Sequence, residues 1–285
     1  MEDWRLVVVD DGSTDGSSEV ARVASGGDDR IDIVRQENKG LSGARMSGLA
    51  YLDNGSRYVI FLDADDLWVP TALFDMVHVL DTQPDCVAVF GDEQIIDVNG
   101  VVSENYVPYG KGGIFCLDGR RIRRKHDVRE LSMWDIAGPC PIKTAGACLV
   151  RRSAIEAGQC AFDQSLSPCE DLDFWFQLAQ FGSIAYLPKT VLQYRQHAFN
   201  VSKQYDLMRQ KRELFYVKNR DRLLLKGAGI YRRLRAFGMY GYDARLCGRW
   251  CSDSVRRGDF IDAARFLRRA AVFQIRYVAA LLRRA

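Results

Sequence analysis

Two stretches of this chain place aspartates directly after apolar runs. Leu6-Val7-Val8-Val9 leads into Asp10-Asp11-Gly12-Ser13, and Tyr58-Val59-Ile60-Phe61-Leu62 leads into Asp63-Ala64-Asp65-Asp66. Side chains two apart along an extended segment point the same way, so Asp63 and Asp65 can face one ligand. Two carboxylates about 4 Å apart repel by roughly 4 kcal/mol at an effective dielectric of about 20, a cost that a divalent cation removes. Carboxylate oxygens select hard ions, Mg2+ or Mn2+, which commonly sit between one or two carboxylates and the phosphates of a substrate. The competing reading gives these aspartates to turns and helix caps, where Asp is frequent. Two such clusters in one chain favour the cation.

Two further groups could share that chemistry. Glu170-Asp171 opens a stretch with helical pattern. Carboxylates in a first helical turn are stabilised by the helix dipole, so plain capping competes with catalysis there. Phe174 and Trp175, three and four residues on, could form a wall against a sugar ring, although aromatics at that spacing are more often core. Tyr194-Arg195-Gln196-His197 follows another apolar run. A lone histidine is usually structural, and His197 acquires a metal role only through its neighbours.

The elements that must position these groups alternate strand and helix, the mark of an α/β domain with a largely parallel sheet. Strands are expected at Leu6–Val9, Ile31–Val34, Tyr58–Leu62 and Cys86–Phe90, with helices at Ser17–Ala24, Leu41–Leu52 and from Pro70 to about Leu80. Gln94–Val102 reads as a hairpin around Asn99-Gly100, a pair suited to a turn with two positive φ angles. Lys111–Pro141, which contains Arg120-Arg121-Ile122-Arg123-Arg124-Lys125, reads as a long loop of the kind that forms lids and acceptor surfaces. Regular structure is expected again at Ala147–Val150, in a helix from Asp171 to Phe181, and in strands at Ile184–Leu187 and Val191–Tyr194.

Of the 285 residues, 47% are hydrophobic and 27% charged, which excludes disordered and collagen-like chains. Eight cysteines without a CxxC pair point to reduced, mostly buried thiols rather than a zinc site. No apolar run approaches the roughly 18 residues of a membrane span, and the start lacks a signal-peptide pattern, so the chain is expected in the cytosol. The net charge of +3 hides a split: from Lys203 onward 21 basic residues stand against seven acidic ones, and before it 19 stand against 30. On a helical wheel Arg265, Arg269, Arg276 and Arg283 fall within about 40° of one another, opposite Leu267, Ala271, Ile275, Val278, Leu281 and Leu282. Such a helix either packs on neighbours with its arginines in water or adheres to an anionic membrane surface. Nucleic acid is not expected, since no binding module is recognisable.

Taken in order and spacing, VVVDDGSTD at Val7–Asp15, Asn38-x-Gly40 leading to Ala44-Arg45, FLDADDLW at Phe61–Trp68, Glu170-Asp171 ahead of Phe174-Trp175, and YRQH at Tyr194–His197 resemble the family 2 glycosyltransferases with the GT-A fold. The resemblance covers residues 4–202. It implies an α/β GT-A domain over 1–202 followed by a basic helical region over 203–285. It implies that Asp10 and Asp11 hold the base and ribose of a nucleotide sugar, usually a uridine one, with Arg45 lining that pocket and Arg195 approaching the diphosphate. Asp63 and Asp65 take the place of the DxD motif, Asp65 as the direct metal ligand and Asp63 nearer the ribose or a metal-bound water. Asp171 takes the place of the catalytic base, Glu170 orients it or the acceptor, and His197 completes the Mg2+ or Mn2+ site. The implied activity is inverting, metal-assisted transfer from a UDP-sugar to a glycan or lipid-linked acceptor, at the inner face of a membrane.

Two departures stand out. The family's usual first strand, ending in Pro-x-Tyr-Asn, and the helix after it have no counterpart ahead of Leu6, which would leave two strand edges open. Met46 stands where Asn often follows the Ala-Arg pair. Two other readings remain: a Mg2+-dependent phosphohydrolase, which also uses paired aspartates after a strand, and a nucleotide-sugar-binding module without catalysis.

Overall fold

The computed structural model describes residues 3–52, 55–102, 129–138, 140–197, 200–201, 204–225 and 260–282, with 227, 255 and 258 as single positions. Its opening is a parallel pair, β1 (Leu6–Asp10) and β2 (Ile31–Arg35), in register from Leu6 opposite Ile31 to Asp10 opposite Arg35. Helix α1 (Ser17–Ser25) connects them, and α2 (Gly40–Tyr51) follows. A six-stranded sheet takes in β3 (Tyr58–Val59), β4 (Leu67–Trp68), β5 (Cys86–Ile96), β6 (Arg129–Leu131), β7 (Cys148–Arg151) and β8 (Ser183–Arg195). Its order is β3-β7-β5-β8-β4, and β6 pairs with the first half of β8.

This sheet is mixed rather than largely parallel. Its one parallel pairing among the described residues is β5 with β8; the pairings of β3, β4, β6 and β7 are all antiparallel. Strand direction is set by partners far away in the chain, which local periodicity does not encode. Among the described residues no strand pairing joins the two sheets: β1 pairs with β2 alone and β3 with β7 alone. Helix α2 spans them instead, with Gly48 close against Val9 while Met46, Leu49 and Leu52 pack on the main core.

Alternation along the strands supplies both faces of the large sheet. Ala88, Phe90, Cys148, Val150, Ile184 and Tyr186 face the larger core, completed by α4 (Met133–Ala137), α5 (Arg152–Gly158) and α6 (Glu170–Leu178). Val89, Leu149, Ala185 and Leu187 face α3 (Ala72–Thr82), which contributes Met76, Val79 and Leu80. Strand β8 is one strand where two were expected. Gly91 pairs with Leu187 and Asp92 with Thr190, so Pro188 and Lys189 bulge out, as suits a residue with no N–H to give the ladder. The bulge needs Gly91, because a Cβ there would lie 2.5 Å from Val191 and 2.8 Å from the Lys189 carbonyl.

Other expectations shift in detail. β3 ends at Val59, and Pro70 precedes α3 rather than opening it. The Asn99-Gly100 turn has a positive φ at Gly100 alone, and the Asp97 carboxylate closes it by accepting from Asn99 N and Val101 N at 2.8 and 2.9 Å. Within the expected loop over 111–141 lie β6 and α4; Arg120–Lys125 falls outside the described residues. Helices α7 (Tyr205–Lys218) and α8 (Arg220–Leu224) lie beyond residue 202 yet bury Phe215, Tyr216 and Leu223 in the larger core. Lys218 and Asn219 reach the fully buried Asp173 at 2.8 Å each. A long helix, α9 (Phe260–Leu282), ends the described chain. The described cysteines are free thiols; Cys116, Cys247 and Cys251 lie outside.

Candidate active site

The short strand β4 explains how the second aspartate cluster is placed. Leu67 lies opposite Gln193 and Trp68 opposite Leu192 on antiparallel β8. Continued backwards, that register sets Asp66 and Asp65 beside Tyr194 and Arg195, the last residues of β8. Arg195 donates from its backbone N to Asp66 Oδ1 at 2.9 Å and from Nε to the Asp65 carbonyl at 2.8 Å. His197 Nε2 then meets Asp65 Oδ2 at 3.0 Å. Asp66 is buried, and burial pushes its carboxyl up to about 7. It ties the loop to β8, a role that the string DADD does not reveal. Arg195, expected near a diphosphate, spends its guanidinium on the carbonyls of Asp65, Asp97 and Val98.

Asp63 turns the other way. Helix α2 carries Arg45 into the interior, 9% exposed, where Nη2 donates to Asp63 Oδ1 at 2.8 Å and Nη1 to Glu170 Oε1 at 3.3 Å. The guanidinium also lies 5.2 Å from the centre of the Phe162 ring, which stacks on Phe174 at 4.1 Å. Arg45, expected in the nucleotide pocket, therefore links the DADD loop to the start of α6. Phe174 and Trp175 are fully buried, so they are core rather than a wall for a sugar.

Asp171, one residue after Glu170, is half-buried, and its Oδ1 accepts from the Leu172 N–H at 2.7 Å. Burial first, and then the Glu170 carboxylate, push its acid group up to about 7 against the pull of Arg45 and Arg212. A carboxyl so poised can exchange a proton near neutral pH.

The first cluster is built locally. Asp10 accepts from Ser13 N at 2.8 Å and from the Ser18 hydroxyl, with Arg35 Nε 3.6 Å away. The Ser18 and Ser13 bonds hold its carboxyl down to about 2. Asp11 Oδ1 accepts from Gln36 Nε2 at 2.6 Å and from Lys39 N at 2.8 Å. Burial pushes the Asp11 carboxyl up, but these bonds outweigh it and the group is lowered. Gly12 is required between Asp11 and Ser13: its φ is +83°, and a Cβ would lie 3.0 Å from Asn38 N. With both Asp10 oxygens engaged, the group that could meet a ligand is Asp11.

Of the three expected metal ligands, the fold brings Asp65 and His197 together and gives Asp63 to Arg45. Among the described residues no three His, Cys, Asp or Glu side chains gather closely enough to hold a metal by themselves. Asp65 and His197 are partly exposed on the same side, 40% and 28%. One carboxylate and one imidazole fit an ion that takes its remaining ligands from a bound diphosphate.

Known proteins resemble this chain in sequence and in fold. The sequence pattern described as Glycosyl transferase family 2 matches residues 1–158. An uncharacterized glycosyltransferase of Nostoc sp. is 41% identical over 98 residues, 34% of this chain and 30% of that protein. The Escherichia coli UDP-Glc:alpha-D-GlcNAc-diphosphoundecaprenol beta-1,3-glucosyltransferase WfgD is 32% identical over 123 residues, 40% of this chain and 47% of that protein. The chain thus spans less than half the length of these two relatives. Among solved structures, the Pyrobaculum calidifontis mannosyltransferase PcManGT, in complex with GDP-Man and Mn2+, aligns over 97% of this chain and 76% of its own, with a TM-score of 0.55 and 17% identity. S. aureus TarS 1-349 in complex with UDP aligns over 93% of this chain and 81% of its own, with a TM-score of 0.52 and 14% identity. Both likenesses speak for the fold, which is the GT-A fold. A sequence pattern matched over more than half of the chain, on a backbone of that fold, establishes that the chain belongs to glycosyltransferase family 2.

Proposed function

We propose that the chain is an inverting glycosyltransferase, moving a sugar from a uridine-diphosphate donor to a hydroxyl of a glycan or lipid-linked acceptor. The observation that carries this reading is the convergence of distant motifs: Arg45 reaches Glu170 across 125 positions, and His197 reaches Asp65 across 132. UDP and GDP-Man in the two solved structures of like fold support a nucleotide-sugar donor, and the diphosphoundecaprenol-linked acceptor of WfgD supports a lipid-linked one. In this reading residues 1–202, with α7 and α8 completing their core, form the transferase unit. The basic region over 203–285 extends it, and the reaction takes place at the inner face of a membrane.

Asp11 holds the nucleoside, and Asp10 shapes the loop that presents it. Asp65 and His197 would hold Mg2+ or Mn2+, which when bound supplies Lewis-acid stabilisation of the departing diphosphate. Asp63, fixed by Arg45, borders the ribose. Asp171 takes the proton of the acceptor hydroxyl as that oxygen attacks the anomeric carbon on the face opposite the leaving group. Glu170, held by the same arginine, keeps Asp171 in place and raises its affinity for the proton. One displacement inverts the carbon, so an α-linked donor yields a β-glycoside.

The test is Asp171→Asn in the full chain. Calorimetry with UDP-sugar and Mn2+ is expected to show donor binding retained, while transfer falls about a thousandfold. Turnover close to wild type removes Asp171 from the base role. Release of inorganic phosphate without sugar transfer by the wild type selects the phosphohydrolase, and binding without any turnover selects the non-catalytic module.

A further inference from the structure

Helix α9 carries a surface that the transfer reaction does not use. Phe260, Ala264, Leu267, Ala271 and Ile275 recur every three or four residues and so share one face of the helix. That face is bare: Phe260 is 70% exposed, Leu267 61% and Ile275 69%, and the two alanines are exposed as well. Of the two outcomes open to an amphipathic helix, packing on the body of the protein is therefore not the one adopted by this stripe. Arg265, Arg268, Arg269 and Arg276 are exposed on the same helix, Arg268 at the border of the stripe and the other three on the far face. Asp262 is the helix's one acidic residue.

We propose that α9 lies in the plane of an anionic lipid surface, with the stripe from Phe260 to Ile275 among the acyl chains and its arginines at the phosphate headgroups. Charge decides between occupants. A second copy of the helix would bring the same arginines and one aspartate, whereas anionic headgroups complement Arg268, Arg269 and Arg276 alike. Orientation follows from length and polarity: 23 residues make a rod about 34 Å long. Among the described residues no helix is long and apolar enough to cross a membrane, so α9 lies on the surface rather than through it. This inference is independent of the transfer reaction. A chain that binds lipid without transferring sugar would still satisfy it.

The experiment is sedimentation of the full chain with vesicles of phosphatidylcholine alone, or with a third of it replaced by phosphatidylglycerol. The chain is expected to pellet with the anionic vesicles and to be released progressively by salt. Arg268→Gln with Arg269→Gln should weaken partitioning at least tenfold, following roughly a fivefold contribution from each arginine near such a surface. Leu267→Glu with Ile275→Glu should abolish it. Both positions are exposed, so neither change disturbs the core, and unchanged circular dichroism and thermal midpoint verify this. Three results overturn the proposal: no pelleting with anionic vesicles; pelleting that survives Leu267→Glu/Ile275→Glu; or binding to a single-stranded RNA probe, or dimerisation, in place of binding to vesicles.

Discussion

Asp10 and Asp65 each follow an apolar strand, yet the groups that hold them come from very different distances along the chain. Asp10 is bonded by Ser13 and Ser18, three and eight residues away, and Asp11 by Gln36 and Lys39 of the connection between β2 and α2. Asp65 and Asp66 are met by His197 and Arg195, about 130 residues away, and Asp63 and Glu170 by Arg45. The local cluster makes a loop and holds it. The long-range cluster gathers charges that repel one another, an arrangement with little structural benefit unless a cation or a substrate uses it. On the proposed function, structural and chemical duty fall on different members of two aspartate motifs that both follow apolar runs.

The sharpest way to break this comparison exchanges the two losses. Asp65→Ala removes a half-exposed side chain that no core residue depends on. It should lower transfer about a thousandfold, corresponding to about 4 kcal/mol of leaving-group stabilisation, with the thermal midpoint unchanged. Asp10→Asn should do the reverse, lowering the thermal midpoint by about 4 °C as a buried, charge-assisted pair of bonds weakens, with a far smaller loss of rate. Rate assays and thermal melts on the same two variants decide it. If Asp10→Asn proves the more damaging to transfer, the division of labour is wrong.

How much of this could be read beforehand follows the same division. As candidates, the aspartates and His197 stood out because each follows an apolar run, and Glu170-Asp171 because it opens a helical pattern. Strands β1 and β2 were legible as short apolar runs, although not their separation into a sheet of two. What stayed hidden depends on distant partners. β4 is two residues long, too short for any periodicity, yet its pairing with β8 carries Asp65 to His197. Arg195 carries charge in the right place but gives it to backbone carbonyls, and Arg45 faces carboxylates 18 and 125 positions away. Composition marked residue 203 as a boundary because the basic surplus begins there. The packing ignores it, since Phe215, Tyr216 and Leu223 bury themselves beyond it.

A second prediction concerns the arginine at the centre of the long-range cluster. Arg45→Leu leaves Glu170 buried with its charge unanswered, and removal of one partner from a buried pair costs about 3 kcal/mol. Stability should fall by roughly that amount in urea unfolding, and transfer should fall with it as Asp63 and Glu170 lose their positions. Arg45→Lys should recover little, because an ammonium cannot fork between two carboxylates. Arg45→Leu combined with Glu170→Gln should regain most of the stability but not the rate. Full recovery of both by the double variant would mean that Arg45 serves only to neutralise Glu170.

The smallest expected effect distinguishes the clusters by the direction of their pH dependence. Asp171 holds its proton up to about pH 7 in the fold, against an ordinary value of 3.8. Between those values the folded chain binds more protons than the unfolded one, so stability falls as pH rises through the window and the cost is complete above 7. Asp171→Asn removes that cost. It should melt above the wild type at pH 8, by about 2 °C or more, with the difference shrinking toward pH 4. Wild-type transfer should climb through the same window with a midpoint near 7, since the base works only when ionised. Asp10 has the opposite sign: lowered to about 2, it contributes stability that is present above its ordinary value and lost only in strong acid. Melting curves of Asp10→Asn should accordingly lie below the wild type at pH 5 and pH 8 alike. A gain for Asp171→Asn that does not grow with pH would show that its carboxyl ionises as an ordinary one, and would leave the poised base without support.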